Sequence, residues 1–311
     1  MSEMGSSDVY IHHIKIPNLF IVGAPKCGTT SLVNYLAQHP DIYFPAIKEP
    51  KHFSAPDKKF PHNGPRDTNV DDQMIISRSD YLHLYESPGD AKIIGDASVD
   101  YLYYQNTAER IFDFNPDAQI IIMLRNPVLR AYSAYMHLRR DGRENLDFGE
   151  ALQREEERRD NNWEFFWRYK EVGLYSSQVK RYINIFGASA VQLYLFEEFI
   201  ENPNKFLQLI ISNLDLSSNY QSQTDVKHNI SGIPRSKRIH YLLNKPNIFK
   251  SVAKQIIPVK TLEKIRQIIA KENLRKDEIP SELYDYLRSY YKPDILKLSE
   301  LVGMDFSLWL Q

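Results

Sequence analysis

The stretch FIVGAPKCGTTSLVNYL, Phe20 to Leu36, constrains the fold more than any other part of the chain. Residues 18–24 form a short apolar run ending in a glycine and an alanine, the pattern of a buried strand. Leu32, Val33 and Leu36 then recur at helical spacing until His39-Pro40 ends the run. A strand feeding a glycine turn and then a helix gathers backbone N–H groups and the positive end of a helix dipole at one spot. Such a unit is an anion site by construction, and Thr29 and Thr30 add hydroxyl donors at the helix start. The plain alternative is a loop whose threonines only cap a helix.

The rest of the chain repeats the alternation. Strands are expected at 91–98, 119–126 and 191–197, and helices at 107–116, from Pro127 to about Arg140, at 147–160, at 174–186 and after Pro203. The run at 119–126 is apolar on both faces, as a central parallel strand should be. Pro127 stands where a helix tolerates proline, at its first position. Residues 57–80 and 216–236 read as loops, and the chain reads as helical from Ile248 onward. This predicts an α/β fold with a central, mostly parallel sheet flanked by helices and a helical C-terminal cap. The 311 residues fit one domain: a core over 17–215, a loop region over 216–247 and a helical part over 248–311.

Composition narrows the function classes. The net charge is −1, so nothing points to a nucleic-acid or membrane partner. Cys27 is the one cysteine, which excludes an intrachain disulfide and permits a reducing compartment. No apolar run approaches the length of a membrane span, and the first residues lack the pattern of a signal peptide. A cytoplasmic location is the expectation.

Gly23 and Gly28 keep the spacing of the phosphate-loop pattern G-x-x-x-x-G-K-[ST], but Thr29 stands where its lysine should be. The lysine, Lys26, lies inside the turn. A magnesium-dependent kinase or ATPase wants the lysine after the glycine and an aspartate at a strand end. Here the strand at 119–126 ends in Arg125-Asn126. Asp96 is the acid that could be offered as a metal ligand, and without the lysine it is set aside. A cation in that place suits anionic oxygen handled without Mg2+. An ATP-using kinase-like enzyme stays as the rival, and a non-catalytic binding module as a third reading.

Several segments together resemble the sulfotransferases that use 3′-phosphoadenosine 5′-phosphosulfate (PAPS), in their bacterial and heparan-type branch. PKCGTTSL resembles the loop for the 5′-phosphosulfate, and LRNPVLRAYSAY (124–135) the 3′-phosphate motif. PAIKEPKHFS (45–54) and GDASVDYL (95–102) resemble that branch's K-E-P and third-strand motifs, and the likeness continues to the C-terminal YYKPDILKLSELVGMDFSLWL. The resemblance implies a PAPS co-substrate, no metal, and release of 3′-phosphoadenosine 5′-phosphate (PAP). It implies that Lys26 neutralises charge on the leaving oxygen and that Gly28, Thr29 and Thr30 hold the 5′-phosphate, with Cys27 and Ser31 in the same loop. Arg125 and Ser133, eight residues apart, would bind the 3′-phosphate. A structural ion pair is the alternative for Arg125. Arg235 and Lys237, in PRSKR (234–238), resemble the late loop that closes over the same phosphate; a solvated charge run is the alternative.

An acceptor hydroxyl or amine must lose a proton as the sulfuryl group arrives. The resemblance makes Glu49 the base, His52 its rival, and Lys48 a partner of Glu49 or of the sulfuryl group. The expected acceptor is a small molecule, with no nucleic acid and no membrane as partner. The acidic stretch RDTNVDDQ (66–73) would suit a cationic acceptor, or serve only solubility. WEFFW (163–167) reads as core or as a lid, REEERRD (154–160) as a solvated helix face, Cys27 as a small filler, and His12-His13 as a solvated pair.

Overall fold

The computed structural model describes residues 15–217 and 278–311, together with short backbone pieces at 233–234 and 274–275. Five strands form the central sheet: β1 (Leu19–Gly23), β2 (Ile42–Tyr43), β3 (Ile93–Ala97), β4 (Gln119–Leu124) and β5 (Val191–Leu195). Their order is β2-β3-β1-β4-β5, and every pairing is parallel. Leu19–Val22 and Ile120–Leu124 are completely buried, which explains why both runs are apolar on both faces. β1 has β3 on one side and β4 on the other, so the chain leaves it in opposite directions beyond its carboxyl end. In open α/β sheets that divergence opens the ligand crevice. The glycine turn lies there.

α1 (Thr29–Leu36) follows the turn directly. α2 (Thr68–Asp71) and α3 (Arg78–His83) lie between β2 and β3, inside and at the edge of the expected 57–80 loop. α4 (Thr107–Phe114) leads into β4, and α5 (Pro127–Arg140) leaves it. The start of α5 is fixed twice: Pro127 occupies the first turn, and the Asn126 side chain accepts the N–H groups of Val128 (2.9 Å) and Leu129 (3.2 Å).

The expected charged helix is two helices, α6 (Phe148–Gln153) and α7 (Glu155–Asp160). Its second half is not merely a solvated face. Glu155 is buried and accepts the N–H groups of Lys170 (2.7 Å) and Glu171 (2.9 Å). Arg158 is buried in a two-armed bond to Glu144, at 2.6 and 3.1 Å. Phe165 and Trp167 of WEFFW are core residues. α8 (Tyr175–Phe186) precedes β5, which ends at Leu195 because α9 (Phe196–Glu201) begins there; α10 (Pro203–Asn213) follows. The C-terminal helix Ser281–Val302 packs on α8 and α5. Its buried Tyr291 hydroxyl donates to the carbonyls of Tyr169 (3.2 Å) and Lys170 (3.0 Å).

Candidate active site

The turn between β1 and α1 needs its glycines. Gly23 has φ +138°, and a Cβ there would lie 2.6 Å from the Val99 carbonyl oxygen. Gly28 has φ +82°, and its Cβ would strike the Phe196 ring at 2.7 Å. Gly28 also caps α1 with no side-chain hydrogen bond of its own, since it has no side chain to offer. Phe196 in turn carries the Arg125 guanidinium, 4.8 Å above its ring. The same glycine thus brings the helix start close to the arginine at the end of β4.

Arg125 is in no ion pair among the described residues. It donates to the Lys26 carbonyl oxygen (3.3 Å), and its buried Nε has no partner. Burial holds its pKa below the ordinary arginine value. The Glu197 carboxylate acts on the guanidinium through charge, without pairing with it. Ser133 is buried eight residues further along, on α5. The strand pair β6 (Ile233–Pro234) and β7 (Leu274–Arg275) is antiparallel, and β6 lies against α5. Arg235, Lys237 and His12-His13 lie outside the described residues.

Lys26 has left-handed backbone geometry, φ 70°. Burial pushes its ammonium down to about 8, with Arg140 and Arg125 adding to the depression and Asp141 and Glu49 opposing it. Charges from three other segments therefore converge on this lysine. The neighbouring Cys27 thiol is fully buried and is pushed up to about 12 by burial, so it stays protonated. It is the filler expected.

The Lys48 ammonium joins the two motifs. It donates to Thr30 Oγ1 at 2.6 Å and to Glu49 Oε1 at 3.0 Å, fixing the carboxylate beside the start of α1. Glu49 also lies at positive φ, 59°, an uncommon conformation for a residue with a side chain. Its Oε2 is 3.9 Å from the Lys51 ammonium. His52 faces elsewhere. Its ring stacks on Tyr81 (4.4 Å, 11°), and its Nδ1 donates to the Ile75 carbonyl at 3.0 Å. It lines a depression with Phe53, Arg78, Arg110, Asp113 and Phe114. Burial lowers its pKa.

Asp96 is completely buried and accepts hydroxyls of Tyr81 (2.8 Å), Tyr101 (3.0 Å) and Ser98 (3.0 Å). Burial pushes its carboxyl up to about 7. The acidic stretch at 66–73 is largely consumed by the fold. Asp67 is buried and accepts from Gly64 N, Glu164 N, Trp167 Nε1 and Arg143, and Asp71 pairs with His62 at 2.5 Å. Neither of these two carboxylates is left over for a cationic acceptor, and the third, Asp72, is exposed.

The structure adds residues that the motifs do not single out. His137, on α5, has a pKa pushed down to about 3 by burial and by the Lys26 ammonium. Its Nδ1 accepts from the Arg140 guanidinium at 2.7 Å, so the ring is the neutral Nε2–H form. Its ring lies 5.3 Å from that of Phe166. The Phe166 N–H donates to Glu164 Oε2 (3.0 Å), while Glu164 Oε1 is buried without a partner. Asp100 accepts the Lys58 ammonium (2.5 Å) and the Ser54 hydroxyl (2.8 Å) through Oδ2, and its Oδ1 is likewise buried and unpartnered. Burial pulls the Lys51 ammonium down, but Glu164, Asp100 and Glu49 outweigh it and hold it above its ordinary value.

Fold and site together define an α/β protein with a glycine turn and cationic side chains at the sheet's switch point and a carboxylate tied to the turn's rim. The sequence model of the Sulfotransferase family matches residues 17–220, and the chain belongs to that family. A sulfotransferase from Alicyclobacillus acidocaldarius, known from its crystal structure, superposes with a TM-score of 0.78 at 37% identity, covering 96% of this chain and 100% of that one. Human carbohydrate sulfotransferase 15 is 31% identical over 172 residues, 44% of this chain and 30% of its own length. Human heparan sulfate glucosamine 3-O-sulfotransferase 3B1 is 22% identical over 296 residues, 94% of this chain and 65% of its own. The chain thus spans under a third of the first relative and just under two thirds of the second.

Proposed function

We propose that the chain transfers a sulfuryl group from PAPS to a hydroxyl or amine of a small-molecule acceptor, without a metal and in the cytoplasm. The observation that carries this reading is the Lys48 bridge, which ties Glu49 to Thr30 of the phosphate loop. Sulfuryl transfer to a hydroxyl needs a proton acceptor beside the transferred group, and the lysine that a magnesium-dependent kinase wants after the glycine is replaced here by Thr29.

Family membership supports PAPS as the donor, which supplies an activated sulfuryl group on a phosphate leaving group. The N–H groups at the start of α1 and the Thr29 and Thr30 side chains suit its 5′-phosphate, and Arg125 with Ser133 its 3′-phosphate. The acceptor oxygen or nitrogen bonds to sulfur, the bond from sulfur to the phosphate oxygen breaks, and the acceptor proton passes to Glu49. Lys26 offsets the charge that grows on the departing oxygen. His52, engaged with Tyr81 and Ile75, is the weaker candidate for the base.

The names of the human relatives favour a second reading of the acceptor, a carbohydrate. Thermal shift with PAP against ATP tests the donor. Stabilisation by PAP that survives a chelator is the expected result, and stabilisation that requires ATP with Mg2+ overturns it. Labelled PAPS offered with a panel of metabolites and saccharides then separates the two acceptor readings.

A further inference from the structure

Arg125 and Asn126, which follow β4, are gripped by Phe196 and Glu197, which follow β5. β4 and β5 pair in register up to Leu124 and Leu195, so the two dipeptides leave the sheet side by side. The Phe196 ring lies under the Arg125 guanidinium at 4.8 Å, and Glu197 Oε1 accepts the Asn126 N–H at 2.9 Å. From α8, the Tyr175 hydroxyl donates to the Arg125 carbonyl at 3.1 Å.

The two grips serve the arginine in different ways. A guanidinium resting on an aromatic ring uses its face and keeps its in-plane N–H groups for oxygen. One of these N–H groups donates to the Lys26 carbonyl at 3.3 Å, and the buried Nε has no partner. The ring also abuts the glycine turn, since a Cβ on Gly28 would meet it at 2.7 Å. Glu197 is a carboxylate near enough to act on Arg125 through charge. A two-armed pair with it would use up the N–H groups that a phosphate needs. Its Oε1 is committed to the Asn126 backbone instead, while its Oε2 is buried without a partner. A buried carboxylate oxygen left unpaired is costly, which points to an imposed role. The same bond anchors the residue whose side chain caps α5 through the Val128 and Leu129 N–H groups.

We infer that Phe196 and Glu197 are positioning residues for Arg125, and that they set the preference for a nucleotide carrying a 3′-phosphate. The inference rests on the PAPS reading of the site and deepens it. Neither residue has to touch the nucleotide; both act by holding the guanidinium beside the turn with its N–H groups open. The sign of the Glu197 effect separates this from simple charge. Removing a carboxylate near an anion site should tighten anion binding if charge alone counts. Removing a positioning group should weaken it.

The test uses the full chain and calorimetry with two nucleotides, PAP and adenosine 5′-phosphosulfate, which lacks the 3′-phosphate. Glu197→Ala takes the acceptor from the Asn126 N–H and should weaken PAP about tenfold, in the range for leaving such a group unpaired. Phe196→Leu keeps an apolar side chain without the ring face and should weaken PAP about fivefold; it stays informative if Glu197→Ala does not fold. Glu197→Gln keeps an oxygen for the Asn126 N–H and should restore PAP affinity to within about twofold of wild type. Adenosine 5′-phosphosulfate should change less than about twofold in all three, well under the loss of one hydrogen bond. In an Arg125→Ala background Glu197→Ala and Phe196→Leu should add nothing further, because their effect runs through that guanidinium. Equal losses for both nucleotides, additive losses beside Arg125→Ala, or tighter PAP binding by Glu197→Ala overturn this inference and leave PAPS as the donor. A wild type that binds the two nucleotides equally well overturns the assignment of Arg125 to the 3′-phosphate as well. A wild type that binds neither overturns the PAPS reading itself.

Discussion

The donor and acceptor halves of the site proposed above are built by different means. The donor half is one continuous piece of chain, β1 with its turn and α1, plus an arginine at the end of the adjacent strand. Its shape is set by the backbone, through glycine geometry and the helix that follows. The acceptor half is assembled from side chains of four segments: Lys48 to Lys51, Asp100, His137 to Asp141, and Glu164. Each is fixed by its own bonds, Glu49 by Lys48, Asp100 by Lys58 and Ser54, His137 by Arg140 and Glu164 by the Phe166 N–H, rather than by a shared backbone. A backbone cradle tolerates side-chain change but demands glycine. A set of facing side chains tolerates backbone drift, but its chemistry depends on each charged group being in place.

The largest expected effect therefore falls on the acceptor half. Glu49→Gln keeps the shape but cannot take up a full proton. Turnover should fall by roughly 10²–10⁴, the usual span for a positioned base, while PAP affinity and melting temperature stay close to wild type. The loss should shrink with an acceptor already deprotonated at the assay pH. His52→Ala should cost far less. A dead His52→Ala beside an active Glu49→Gln would reverse the assignment and move the base to the Tyr81 side of the site.

Lys26→Ala probes the place where the halves meet. Removing one charge aimed at the leaving oxygen should lower turnover by roughly 10²–10³. PAP affinity should drop much less, because the charge matters most in the transition state. Equal losses in turnover and affinity would mean that Lys26 only binds.

Arg125→Ala belongs wholly to the donor half and should touch binding alone. Losing charge-assisted hydrogen bonds to one phosphate should weaken PAP by roughly 10–100-fold. Adenosine 5′-phosphosulfate, which lacks the 3′-phosphate, should be nearly unaffected. Calorimetry with both ligands decides, and equal losses would place the arginine elsewhere.

The same division explains what could be read from the sequence. The strand, turn and first helix were legible because they are local: Gly23, Gly28 and the helical recurrence of Leu32, Val33 and Leu36 carry their own geometry. The parallel sheet followed from apolar runs such as Ile120–Leu124. β2 escaped notice because two residues carry no periodicity. Glu155 and Arg158 read as solvated charges because their partners, the N–H groups of Lys170 and Glu171 and the Glu144 carboxylate, are fixed by tertiary packing. Glu164 and Asp100 were hidden in the same way, inside runs that look aromatic or strand-like. Lys51 stood in plain view in KEPKHFS, but its burial and left-handed backbone have no signature in residue type.

Lys26 offers the smallest and most revealing measurement, the pH dependence of PAP affinity. In the free protein its ammonium titrates at about 8, lowered first by burial and then by Arg140 and Arg125. A bound phosphate places negative charge beside it and raises that value, so the complex holds the proton to higher pH than the free protein does. The sign follows: below about pH 8 both forms are protonated and affinity is flat, whereas above it binding must take up a proton and affinity falls, by about tenfold per pH unit until the complex itself titrates. Lys26→Arg keeps its charge throughout and should bind PAP with a flat profile over the same range. Arg140→Met removes the acceptor-side cation that lowers Lys26 and should move the break toward higher pH. A wild-type profile that stays flat to pH 9.5 would show that the two halves do not meet at this lysine. A break that Arg140→Met leaves in place would confine the coupling to the donor half.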